Sequence, residues 1–239
     1  MLTDKTLEKK TAAINEGVIQ PFSRRRFLGY VGAASALFVT AASCKKDDNN
    51  NPDTGVDLGS GDVGILNYAY ALEQLEAAFY SQVILTPYSG MTALETELLT
   101  DIRNHEVAHR EFFKTAITAA APSSVIPSLA VNFSSIDFTN RTSVLATAKA
   151  FEDLGVTAYN GAGQLISTSG NGPTYLTLAG KIVSVEARHA AIIADLITAG
   201  TFSNTTDVNA LDMARTPAQV LAIAGTYITT KINANNLPS

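Results

Sequence analysis

Residues 104–109 read "NHEVAH", inside the longer segment "LLTDIRNHEVAHREFFKTAI" at 98–117. The segment has helical periodicity, with Leu99, Ile102, Phe113 and Ile117 on one face and Asn104, Glu111 and Lys114 towards the other. Glu106 and His109 fall on the apolar face. Three residues of helix turn the chain by about 300° and advance it by about 4.5 Å, so the two side chains project one above the other. A single Glu-x-x-His is accounted for by an ion pair that happens to face inward. Whether it means more depends on whether the pattern recurs.

It does recur. Four long segments carry helical periodicity, roughly 62–85, 92–120, 142–167 and 173–199, with a shorter one near 216–231. Thr92 with Glu95 forms a capping box ahead of the second, Pro173 suits the start of the fourth, and Thr216 with Pro217 supplies an N-cap and first-turn proline for the fifth. Helix one contains "LEQLEAAFY", with Glu73 seven residues before Tyr80, and helix three contains "FEDLGVTAY", with Glu152 seven before Tyr159. Helix two has Glu106-Val-Ala-His109 and helix four Glu186-Ala-Arg-His189. The separations from Glu73 to Glu106 and from Glu152 to Glu186 are 33 and 34 residues, so the two halves are in register.

On helical wheels Glu73 and Glu152 lie at the edge of apolar arcs, beside Leu66, Ala77 and Ile84 in one case and Ala148 and Ile166 in the other. Glu186 and His189 share a face with Ile182, Ile193 and Leu196. Burying an unpaired carboxylate or imidazole costs several kcal/mol, and here four carboxylates and two imidazoles converge on one interior. A pair of divalent cations resolves the repulsion and gives every donor a partner. The alternative is a set of buried ion pairs or protonated carboxylates.

One Glu on each of two helices and a Glu-x-x-His on each of the other two resembles the ligand pattern of the ferritin-like di-iron and di-manganese carboxylate bundles. Within that superfamily the motifs are most similar to the bacterial ferritin-like domain family related to plant desiccation-related proteins, over about residues 62–200. The resemblance implies Glu73, Glu106, His109, Glu152, Glu186 and His189 as ligands of two Fe or Mn ions, with Glu106 and Glu186 as bridges. It also implies an all-α fold, a ferritin-like four-helix bundle with a long crossover between helices two and three plus a C-terminal helix. Loop lengths agree independently: the joins near 86–91 and 168–172 are short. The join "APSSVIPSLAVNFSSIDFTN" has about twenty residues and can span about 65 Å, enough to start helix three parallel to helix two.

Four further residues lie near this pattern. Glu76 is close to the centre of its apolar arc, and its counterpart in the repeat is Gly155, so its side chain is expected to reach across the pseudo-twofold axis. Rubrerythrin-like members of the superfamily carry an additional carboxylate near the metals, which would make Glu76 a seventh, switchable ligand; the other reading is an acceptor for an imidazole N–H. Tyr80 and Tyr159 read either as hydrogen-bond donors or radical quenchers above the carboxylates, which makes them candidate catalytic residues together with Glu76, or as core. His105 borders the apolar arc beside Leu98 and Phe112, its counterpart is Val185, and it reads as an ordinary half-buried histidine.

The N-terminus has a different character. "SRRRFLG" at 23–29 precedes the moderately apolar "YVGAASALFVTAAS" and resembles a twin-arginine export signal, with Arg24 and Arg25 as the pair. The only cysteine, Cys44, follows small residues as in a bacterial lipobox, although Ala41 stands where Leu is usual. This resemblance implies lipidation at Cys44. The polar, Gly-containing residues 45–61 read as a tether. The domains are therefore 1–43 as export signal, 44–61 as flexible tether and 62–239 as the bundle with its C-terminal helix. Six of the 17 basic and three of the 22 acidic residues precede Cys44, which leaves 11 against 19 and a net charge of −8. That charge speaks against nucleic acid as a partner.

Together these readings give an exported lipoprotein of the cell envelope or surface that oxidises Fe(II) or consumes H₂O₂ or O₂, without an organic cofactor. Its expected partners are metal ions, O₂ or H₂O₂, the membrane through an N-terminal lipid, and a second copy in a homodimer. The rival expectation is a non-catalytic stress-protective or scaffold protein whose metals stabilise the bundle.

Overall fold

The structure, a computed structural model, describes residues 55–204 and 206–239. The expected export signal with Arg24 and Arg25, the expected lipidation site Cys44 and the expected tether up to residue 54 lie outside the described residues. The described residues form five α-helices: α1 (Gly61–Leu85), α2 (Ala93–Ala120), α3 (Arg141–Gly163), α4 (Gly172–Ile197) and the short α5 (Pro217–Ala224). Two short strands, β1 (Val56–Asp57) and β2 (Ile232–Asn233), pair in parallel. Among the described residues no helix is long and apolar enough to cross a membrane.

The helix starts follow their sequence signals. Thr92 and Glu95 form a complete capping box, and so do Thr216 and Gln219. α1 packs closely on α2 and α3 on α4, and α1 meets α3 between the two hairpins. Of the 25 residues of α1, 17 are buried, so it is covered on nearly every side. The crossover supplies the remaining cover. Asn67 donates to Ser124 O and accepts from Ile126 N, and further along α1 Gln74 accepts from Leu129 N. Phe79, near the far end, packs against Phe133 and Phe138. These contacts advance together along both segments, so the crossover runs the length of α1.

The crossover therefore returns α3 to the end where α2 begins. Arg141, the first residue of α3, donates to Glu95 in the first turn of α2 at 2.6 Å and to Leu196 O at the end of α4 at 2.7 Å. Helices α2 and α3 thus start at one end and run parallel, as the loop lengths require. Buried Asn67 and Gln74 satisfy part of the crossover backbone, and the segment after α5 satisfies more, with Tyr227 O accepting from Asn132 N and Thr230 Oγ1 from Ala130 N.

Three boundaries differ from the sequence reading. Residues 55–61, which composition assigns to the tether, belong to the folded unit: β1 pairs with β2, Leu58 is fully buried, and Asn67 donates to Leu58 O. Their polar composition hides one apolar anchor and a pairing partner more than 170 residues away. The C-terminal helix stops at Ala224, with Gly225 as its cap, and the chain after it bridges to the crossover through Val131 and Ile228. Helix α3 ends at Gly163, earlier than periodicity suggests. In its last turns Gly161 lies against the segment before α5, where a Cβ would sit 1.8 Å from Arg215 O, so only glycine fits there.

Candidate metal centre

The periodicity that set Glu73, Glu106, Glu152 and Glu186 on apolar arcs places all four at 0% exposure, with His189 at 4% and the His109 side chain at 12%. They meet in two groups: Glu73, Glu106, His109 and Glu186, and Glu106, Glu152, Glu186 and His189. Within each group the donor atoms lie within 4.8 Å of one another. Glu106 and Glu186 belong to both.

The two groups are related by a pseudo-twofold. His109 Nδ1 lies 2.8 Å from Glu186 Oε1 and 3.5 Å from Glu106 Oε2 and Glu73 Oε2. His189 Nδ1 lies 2.8 Å from Glu106 Oε1, 3.4 Å from Glu186 Oε2 and 3.5 Å from Glu152 Oε2. Each shared carboxylate therefore turns one oxygen to each imidazole. These approaches are close but out of line for hydrogen bonds. Both imidazole Nδ1 atoms, both oxygens of Glu106 and of Glu186, Glu73 Oε2 and Glu152 Oε2 are buried with no hydrogen-bond partner. Eight orphaned donor atoms aimed at two points would be very costly if they met only one another. Carboxylate oxygens with one imidazole per group form a donor set that suits a divalent metal ion, so the residues of each group fit metal binding.

The remaining carboxylate oxygens of Glu73 and Glu152 are held by tyrosines from the opposite half. Tyr80 on α1 donates to Glu152 Oε1 at 2.5 Å, and Tyr159 on α3 donates to Glu73 Oε1. Both hydroxyls stay protonated, because burial and the facing carboxylate (Glu152 for Tyr80, Glu73 for Tyr159) push their pKa well up. Electrostatics within the protein's own groups are strongly skewed. Burial opposes charge on both imidazoles, but the surrounding carboxylates outweigh it and push His109 and His189 up to about 12. Burial likewise pushes Glu106 up, and the two imidazoles outweigh it and bring it down to about 2. Burial dominates for Glu73, raised well above the carboxylate range, and for Glu152, raised to about 8.

This twofold-repeated carboxylate and histidine interior in a four-helix bundle has a family counterpart. The family model of the ferritin-like domain matches residues 61–199. The chain belongs to the ferritin-like domain family. No curated protein matches it. The matched span covers α1 to the end of α4, so in this ferritin-like chain β1, α5, β2 and the segment between α4 and α5 lie outside it.

Glu76 lies beside the ferritin-like site but in neither four-residue group. It is 3% exposed, its Oε2 has no partner, and its Oε1 sits 3.1 Å from where a Cβ on Gly155 would be. It thus reaches across to α3 as the repeat asymmetry requires. Burial, then the charges of Glu106, Glu186, Glu73 and Glu152, hold its carboxyl well above the usual range. His105 departs from its sequence reading. It is exposed rather than half-buried, and its Nδ1 lies 2.9 Å from His189 Nε2. Its partner is 84 residues away, and Val185 at the matching register gave no sign of it.

Proposed function

We propose that this ferritin-like protein holds a dinuclear Fe or Mn centre, with Glu73 and His109 on one ion, Glu152 and His189 on the other, and Glu106 and Glu186 bridging. The observation that carries the proposal is the sharing of oxygens: each of Glu106 and Glu186 offers one oxygen to each group, and none of the four has another partner. Two such ions supply electron transfer to O₂ or H₂O₂ by cycling their oxidation state. The protein's residues set the conditions for it. The buried walls exclude bulk water, the Tyr80 and Tyr159 hydroxyls hold the outer carboxylates in one orientation, and Glu76 adds a further buried carboxyl facing the site.

The activity we assign is oxidation of Fe(II) or removal of peroxide at the cell envelope, in a protein exported through its twin-arginine signal and anchored at Cys44. Within the family we place it with the desiccation-related branch on the strength of the two in-register motif pairs. Stopped-flow mixing of Fe(II)-loaded or Mn(II)-loaded protein with H₂O₂ and with O₂ tests the reaction. Oxidation of the bound metal is expected with at least one oxidant; inertness of both metals to both oxidants would leave a structural role for the ions. Release of Cys44→Ser from the membrane fraction tests the anchor.

A further inference from the structure

The two histidines of the site are equivalent on their inner edge and different on their outer edge. His189 turns Nδ1 to Glu106, Glu152 and Glu186, while Nε2 on the far side of the ring lies 2.9 Å from His105 Nδ1, with the two rings within 12° of parallel. His189 is 4% exposed and His105 is exposed. At the register of His105 the other half has Val185, which has no acceptor to offer His109.

Resting on the dinuclear reading above, we propose that His105 is a positioning residue for His189 and makes the two metal positions unequal. An imidazole that ligates through Nδ1 must present a lone pair there, so its proton sits on Nε2. His105 Nδ1 is the acceptor for that proton, which places the proton of His105 on Nε2. The pair fixes the tautomer and the ring orientation of His189. It also straps α2 to α4, the two helices that supply both bridging carboxylates. A partner of this kind sharpens the donor and lowers the cost of ordering it. His109 reaches the same ligand geometry without such a partner.

The test uses His105→Val, which copies the residue already present in the other half, and His105→Asn, whose Oδ1 restores an acceptor near the place of Nδ1. Optical titration with Co(II) is expected to show two ions bound by the wild type. His105→Val should weaken one of them by roughly tenfold to a hundredfold and leave the other within about threefold, and His105→Asn should recover most of the loss. In the Zn(II)-loaded protein, ¹⁵N-resolved imidazole spectra should show His189 metal-bound at Nδ1 and protonated at Nε2. That proton should be protected from exchange in the wild type and His105→Asn and exposed in His105→Val. Equal Co(II) affinities in wild type and His105→Val, or metal on Nε2 of His189, would overturn the role of His105 while leaving the dinuclear site intact. A wild type that binds neither metal would remove both.

Discussion

Tyr159 on α3 donates its hydroxyl hydrogen to Glu73 on α1, so a carboxylate from the first half of the chain is oriented by the second. Tyr80 and Glu152 repeat the bond in the opposite sense. The two halves of the bundle are therefore cross-stitched immediately outside the site, at the place where α1 and α3 meet. Replacing Tyr159 by Phe leaves a fully buried carboxylate oxygen without a donor. The expected cost is about 1–3 kcal/mol in urea denaturation, with Tyr80→Phe costing a similar amount. Unchanged midpoints in both variants would mean that the bonds add nothing to the fold.

The packing of Glu76 against Gly155 predicts coupled substitutions. A Cβ at position 155 would stand 3.1 Å from Glu76 Oε1, closer than ordinary contact, inside a filled core. Gly155→Ala should be less favourable in the wild type than in a Glu76→Ala background by about 1–2 kcal/mol, because the methyl group there occupies released space while the helix-propensity gain of about 1 kcal/mol is common to both. A double-mutant cycle on thermal or urea unfolding measures the difference, and strict additivity would argue that the two residues do not meet.

At the end of the bundle where α2 and α3 begin, Glu95 governs an acid-sensitive joint. Burial pushes its carboxyl up, but the Thr92 N–H, the Arg141 guanidinium and the Thr92 hydroxyl outweigh it and lower it from 4.5 to about 2. A depressed carboxylate contributes stability that is complete above its unfolded value near 4.5 and is lost as pH falls towards about 2. Glu95→Gln should therefore flatten the fall of stability within that window and change it little between successive points above pH 5 or so. Urea unfolding at a series of pH values reads this directly; an acid limb as steep as that of the wild type would assign the loss to other groups.

Metal uptake should be linked to protons and to stability. His109 and His189 are held protonated by the carboxylates around them, up to about 12, and each must lose the Nδ1 proton to offer a lone pair. Binding of Mn(II) should release protons, so affinity rises with pH. At free metal a hundredfold above Kd, one site adds about 2.7 kcal/mol to stability. Calorimetric titration in buffers of different ionisation enthalpy counts the protons, and Glu106→Ala combined with Glu186→Ala should abolish both the heat and the stabilisation.

Periodicity and the internal repeat carried most of this account, because a bundle repeats its chemistry at helical spacing. Glu73, Glu106, His109, Glu152, Glu186 and His189 each lie at a position set by the period of one helix, so their convergence is legible in the sequence. The loop lengths carried the parallel start of α2 and α3. What escaped depends on single long-range partners. Leu58 is one apolar residue in a polar stretch, β1 and β2 have two residues each, and α5 gives way to a β-bridge after Gly225. His105 escaped for the same reason: nothing in its own helix distinguishes a solvated histidine from one bonded to a residue 84 positions away.

Two ions are expected to share Glu106 and Glu186. Anomalous diffraction at the Fe and Mn absorption edges, on crystals of protein purified from its native host, tests it most directly. Two anomalous peaks about 3.5–4 Å apart are expected, both within coordination distance of Glu106 and Glu186, one beside His109 and the other beside His189. No peak at either edge, or a single peak away from the two shared carboxylates, would contradict it.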